Sequence, residues 1–154
     1  MNERPPFERT TCACSDCAKC CKQQPGYLIP SDLERIAEHL GEPVGPWLVA
    51  SPGALVGRMV QGQLQTFRIG SIVPRTVDGG SRCVFLTEDD KCAIHPVAPF
   101  GCAFFDTHQT DEQWQEKSSW GVHQMLDAGY QSIRAILARA TFYKGKPVNE
   151  DENP

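Results

Sequence analysis

Apolar residues recur along this chain with two different periods, and the change of period divides it into segments. Leu33, Ile36, Ala37 and Leu40 stand at i, i+3, i+4 and i+7, the spacing of one helix face. Ser31 ahead of them is a suitable cap, Glu34 completes a capping box, and Gly41 ends the pattern. Pro43 and Pro46 then punctuate the approach to Trp47-Leu48-Val49, which predicts one short helical turn before Ser51, with Trp47 as a core anchor. From Leu55 to Val77 the period falls to two. Arg58-Met59-Val60, a Gln61-Gly62 turn, and the alternating run Leu64 to Ile69 predict a hairpin. Ser71 to Val77 extends the strand pattern, with Pro74 placed at an edge or a bulge.

Two more apolar runs, Cys83-Val84-Phe85-Leu86 and Cys92-Ala93-Ile94, flank the polar stretch Thr87 to Lys91. They predict a second hairpin that sets Cys83 and Cys92 on neighbouring strands. From about Thr110 to Lys144 the pattern is helical. Asp111 and Glu112 suit a first turn, and Trp114 and Trp120 are expected to face inward. Met125, Leu126, Tyr130, Ile133, Ile136, Leu137 and Ala140 supply an apolar face, with Gly121 and Gly129 interrupting it. The expected architecture is a small single α+β domain with an N-terminal cysteine segment and helix, a small antiparallel sheet including the cysteine-bearing hairpin, and C-terminal helices. Within it, residues 1–11 read as a loosely held lead-in, 12–105 as the cysteine-bearing region, 106–148 as a helical part of the same domain, and 149–154 as a frayed tail.

Composition changes this picture in one respect. With 154 residues, 15 Lys and Arg against 19 Asp and Glu, and no basic run, the chain offers nothing that would track nucleic acid. Residues 1–9 lack an apolar signal core, and no apolar run approaches the ~18 residues that span a bilayer. The expected setting is cytoplasmic, without membrane or nucleic-acid partners. The eight cysteines then acquire meaning, because a reducing compartment turns thiols from disulfides toward metal or redox chemistry.

Five of these cysteines fall within the ten residues from Cys12 to Cys21. A two-residue gap lets a turn or helix bring two sulfurs to one ion. At helical spacing Cys14, Cys17, Cys20 and Cys21 share an arc of roughly 120°, while Cys12 points away. Cys83, Cys92 and Cys102 add three more thiols. His95, beside Cys92, is a further nitrogen donor by type, although a loop or strand histidine is the plainer reading. Asp16, Asp89, Asp90 and Asp106 lie near the cysteines and read as solvated turn residues. His39 reads as a surface residue.

Cys14-x-x-Cys17-x-x-Cys20-Cys21, followed by Leu28 to Ile36, Cys83-Val84-Phe85-Leu86, Cys92-Ala93-Ile94 and Pro99-x-x-Cys102, resembles the CxxCxxCC, or YkgJ-type, cysteine-cluster family. The resemblance covers roughly residues 12 to 105. It implies a zinc- or iron-chelating protein, with an iron–sulfur cluster in some relatives. The chain departs from the pattern at Ala98, where arginine is expected before Pro99, at His95 in place of an aromatic residue, and in the extra thiol Cys12.

Seven motif thiols exceed the four that one tetrahedral zinc ion or one cubane cluster takes. A single cluster with three thiols left over, two metal sites sharing the seven with His95 or Cys12 completing the second, and a polynuclear site with bridging thiolates all satisfy the count. Two function classes follow. One is a metal-binding protein holding an iron–sulfur cluster or zinc or iron ions in a redox or accessory role. The other is a zinc-stabilised module that binds a protein partner and catalyses nothing. No Gly-rich phosphate loop, nucleophile elbow or HExxH pair occurs in the sequence. A metal anchored at both Cys21 and Cys83 would tie together segments more than sixty residues apart and so stabilise the fold.

Overall fold

The computed structural model describes residues 3–10, 22, 25–77 and 80–145. Cys12, Cys14, Cys17, Cys20, Cys21, Asp16 and the tail at 149–154 lie outside the described residues. The elements run α1 (Pro30–Leu40), β1 (Leu48–Val60), β2 (Gln63–Pro74), a 3-10 turn (His95–Val97), α2 (Phe100–Ala103), α3 (Asp111–Met125) and α4 (Ala128–Gly145). This is the expected α+β arrangement, a two-stranded antiparallel ribbon set among helices.

The ribbon is longer than the periodicity predicts at its N-terminal side. β1 starts at Leu48, where a helical turn was expected, because Leu48, Val49 and Ala50 lie opposite Pro74, Val73 and Ile72. This pairing spans more than twenty residues of sequence and overrides the local proline signal. At the other end Gln61 and Gly62 both take positive φ, 51° and 78°, the geometry of the tight turn that matches strand twist. Gly62 adopts it without steric cost. Pro74 closes the ladder, where its missing N–H is not required.

The outer edge of β2 is covered by the extended segment that precedes α1. Leu28 N–H donates to Ile72 O at 2.8 Å. The Tyr130 hydroxyl donates to Leu28 O at 2.6 Å and accepts from Ile72 N–H at 2.8 Å, so one phenol closes the next rung of the strap. Burial holds the Tyr130 phenol far above its ordinary pKa, and it keeps its proton. Tyr130→Phe strands a buried N–H and a buried carbonyl. Urea denaturation should show a loss of about 1–3 kcal/mol, and a loss under a few tenths would show that the strap carries no energy.

One core lies between α1, the base of the ribbon and α4, formed by Leu28, Leu33, Ile36, Trp47, Leu48, Ile69, Ile72, Ile94, Met125, Tyr130 and Leu137. Trp47 is the core anchor expected of it. A second, smaller core of Ile29, Ala98, Phe100, Ala103 and Phe104 receives Phe7, Tyr27 and Trp120 from outside. Trp120 faces inward against Phe100 and Phe7, but Trp114 is 50% exposed and meets the edge of this cluster through Phe105. Leu126 and Ile136 also point outward. The helical run breaks at Leu126-Asp127, where Asp127 accepts from Tyr130 N–H at 3.0 Å and starts α4, so the apolar face changes direction there.

Candidate metal centre

The candidate site lies where the second core meets the chain that follows the N-terminal cysteines in sequence. Cys102 lies in α2, one turn of helix started by Pro99. This helix is held by Asp32, which is fully buried. One carboxylate oxygen accepts from Phe100 N–H at 2.8 Å and from Ile29 N–H at 3.0 Å; the other pairs with Arg35. Asp32 thus caps α1, the role that the sequence pattern gives to Ser31 and Glu34, and also caps α2. The start of α1 lies two residues earlier than expected, at Pro30, which puts Asp32 rather than Glu34 in the third helical position. Burial pushes the Asp32 carboxyl up to about 6, against the pull of the two N–H groups and of the Arg35 and Arg9 guanidinium groups. At neutral pH it is ionised.

Cys102 is half-buried, and its Sγ accepts from Gly26 N–H at 3.3 Å. The two chains cross there with no side chain between them. A Cβ on Gly26 would lie 2.6 Å from Cys102 Sγ and 2.4 Å from Gly101 C, and one on Gly101 would lie 2.4 Å from Tyr27 N. Gly101 N–H donates to Tyr27 O at 2.9 Å and fixes the crossing. The spacing of the cysteines did not point to this contact. The signal available was a second glycine immediately before Cys102.

Cys83 is buried and Cys92 half-buried. The expected hairpin is present only as single bridges. Leu86 pairs with Cys92, closed by Thr87 N–H to Lys91 O at 2.8 Å, while Cys83 pairs with Thr76 instead of Cys92. The run after Cys83 is too short to make a strand, and Arg75 and Val77 supply the pairing partners that it lacks. Cys92 and Cys102 both pack against the second core. Of the apolar residues close to these thiols in sequence, Phe100, Phe104 and Leu86 are buried, Phe85 and Phe105 half-buried, and Val84 exposed. Among the described residues no three His, Cys, Asp or Glu side chains come together closely enough to hold a metal ion. Cys83, Cys92 and Cys102 therefore do not complete a site by themselves.

Both flanks of the cysteine segment are attached to this same wall. On the N-terminal flank, Arg9 donates to Pro96 O at 2.7 Å and to His95 O, Thr10 N–H donates to Ala103 O at 2.8 Å, and the Thr10 hydroxyl bonds Asp106. Phe7 stacks edge-on to Trp120, so the stretch expected to be a loose lead-in is docked through residues 7–10. On the C-terminal flank, Lys22 pairs with Asp90 at 2.8 Å, in the turn between Cys83 and Cys92, and Gly26 reaches Cys102. Lys22 holds the exposed Asp90 carboxyl below its usual range, and the Thr10 hydroxyl does the same for Asp106. These aspartates serve the flanks, as turn residues. The His95 and His39 side chains are exposed.

A family model described as "CxxCxxCC: Putative zinc- or iron-chelating domain" matches residues 13–120. The chain belongs to the CxxCxxCC family. The matched range includes all seven motif thiols and leaves Cys12 outside. It also runs past Phe105 into α3, beyond the span that the motifs alone cover. No curated protein and no solved structure matches the chain. The donor set suits the family's description: thiol sulfurs bind zinc and iron, one already accepts a backbone N–H, and buried phenylalanines stand behind it. Among the described residues no helix is long and apolar enough to cross a membrane.

Proposed function

We propose that the protein holds an iron–sulfur cluster, or zinc or iron ions, in a composite centre. Cys14, Cys17, Cys20, Cys21, Cys83, Cys92 and Cys102 form its pool of ligands. The observation that supports this reading is the double attachment of the cysteine segment: Arg9 and Thr10 before it and Lys22 and Gly26 after it are bonded to the stretch that carries Cys92 and Cys102. The chain therefore enters and leaves the cysteine segment on that stretch. When bound, a cluster would supply one-electron redox chemistry and a zinc ion structural cross-linking. The protein's own groups supply the thiolates, the N–H donor at Cys102 and the apolar backing of Phe100 and Phe104.

The test is a visible spectrum with metal and sulfide analysis on protein purified without oxygen. Brown protein with iron and acid-labile sulfide supports a cluster in a redox or accessory role. Protein free of bound metal at any stoichiometry overturns the centre. Cys20→Ser should lower bound metal and protease resistance together, whereas Cys12→Ser should leave both near wild type. Equal metal content in both variants would show that the ligand pool is misdrawn.

A second reading is a zinc-stabilised module that binds a protein partner in the cytoplasm. It is favoured by Met59 and Leu64, which face each other across the ribbon tip at 64% and 67% exposure. Colourless protein with stoichiometric zinc would select it.

A further inference from the structure

We infer that Gly26 is a positioning residue of the metal centre: its backbone N–H holds Cys102 Sγ in the ligating position and takes up part of the thiolate charge. The inference rests on the metal-holding reading above and adds to it a residue that has no side chain.

Two observations carry it. The N–H of Gly26 points at Cys102 Sγ with the heavy atoms 3.3 Å apart. The sulfur also lies 2.6 Å from where a Cβ of residue 26 would be, with Cys102 N at the same distance and Gly101 C at 2.4 Å. Only a residue without Cβ lets the main chain approach the sulfur so nearly. The reciprocal fit at Gly101, and the Gly101 N–H to Tyr27 O bond of 2.9 Å, prevent the two chains from sliding past each other. The donor therefore meets the sulfur from one fixed direction.

The chemical consequence follows from what a sulfur ligand does. A thiolate that accepts an N–H bond gives less electron density to its metal, and hydrogen bonds to sulfur are among the terms that set the reduction potential of an iron–sulfur cluster. Gly26 follows Cys21 by five residues. The donor thus belongs to the chain leaving one half of the ligand pool and the acceptor to the other half, so the bond sets the register between them.

The experiment uses isotope-labelled full-length wild-type protein loaded with a spin-active cadmium isotope, followed by proton–cadmium correlation spectroscopy. The expected result is a coupling from the Gly26 amide proton through Cys102 Sγ to the bound cadmium. Stoichiometric cadmium coupled to the Cys102 β-protons, with no coupling to the Gly26 amide, overturns the inference and leaves the metal reading standing. Protein that takes up no cadmium overturns both. Gly26→Ala should lower the apparent cadmium affinity about 10–100-fold in chelator competition. A folded Gly26→Ala variant with wild-type affinity counts against the inference; the wild-type spectrum decides if that variant does not fold.

Discussion

Replacing Asp32 with alanine is expected to destabilise the fold by about 2–6 kcal/mol, since each buried donor left without an acceptor costs about 1–3 kcal/mol and Asp32 serves two, Ile29 N–H and Phe100 N–H. Arg35 loses its ion pair as well but keeps Ala98 O, is partly solvated and adds less. The loss should appear as a shifted urea midpoint. Asp32→Asn keeps a carbonyl oxygen for the two N–H groups and should lose less. The pH dependence separates charge from hydrogen bonding. Asp32 titrates near 6 in the fold against an ordinary value of 3.8, so between these pH values the native state binds more protons than the unfolded one. By linkage, its contribution to stability falls as pH rises through that window and is constant above it. Asp32→Asn should abolish this component of the slope. An unchanged slope in Asp32→Asn would refute the assignment of the titration to Asp32.

Removing metal with a chelator should lower the thermal midpoint by about 8–16 °C. A ligand at a thousandfold its dissociation constant contributes about 4 kcal/mol, and each kcal/mol moves the midpoint of a chain this size by about 2–4 °C. The main core and the strap at Tyr130 are held by other forces, so a cooperative transition should persist in the metal-free protein. What should change first is the attachment of the cysteine segment: tryptic cleavage after Lys22 should accelerate, because its ion pair with Asp90 is exposed and weak by itself. An identical midpoint and cleavage rate with and without chelator would mean that the metal lends nothing to the fold.

The elements that were legible in the sequence are those set by local rules. Gln61-Gly62 marks its turn through backbone preference alone, and Leu33 and Ile36 mark the buried face of α1 through period alone. The elements that were not legible depend on partners distant in sequence. Leu48 is a strand because Pro74 and Val73 lie beside it, Cys83 pairs with Thr76 because the run after it is too short, and Asp32 becomes a double cap because Phe100 is folded back onto it. Trp114 illustrates the limit of hydropathy: a large apolar ring satisfies the inward pattern, yet α3 leaves it half exposed against Phe105. For the centre, residue types and spacing marked the thiols, and the family match spans the seven proposed as ligands. The groups that position them carried no chemical signature. Arg9 acts through backbone carbonyls and Gly26 through its own amide, so neither stands out in the sequence as a partner of sulfur.

The rung at Tyr130 also fixes an order of events during synthesis. Leu28 is bonded across 102 residues to a phenol in the last helix, whereas the β1–β2 ribbon closes through a two-residue turn. Local contacts form quickly and distant ones wait for loop closure. On a chain emerging from its N-terminus, the cysteines at 12–21 appear first, but the strap that seats the segment following them is complete only after α4 has been made. A chain ending before Tyr130 carries all eight thiols but lacks the phenol that closes the rung between Leu28 and Ile72.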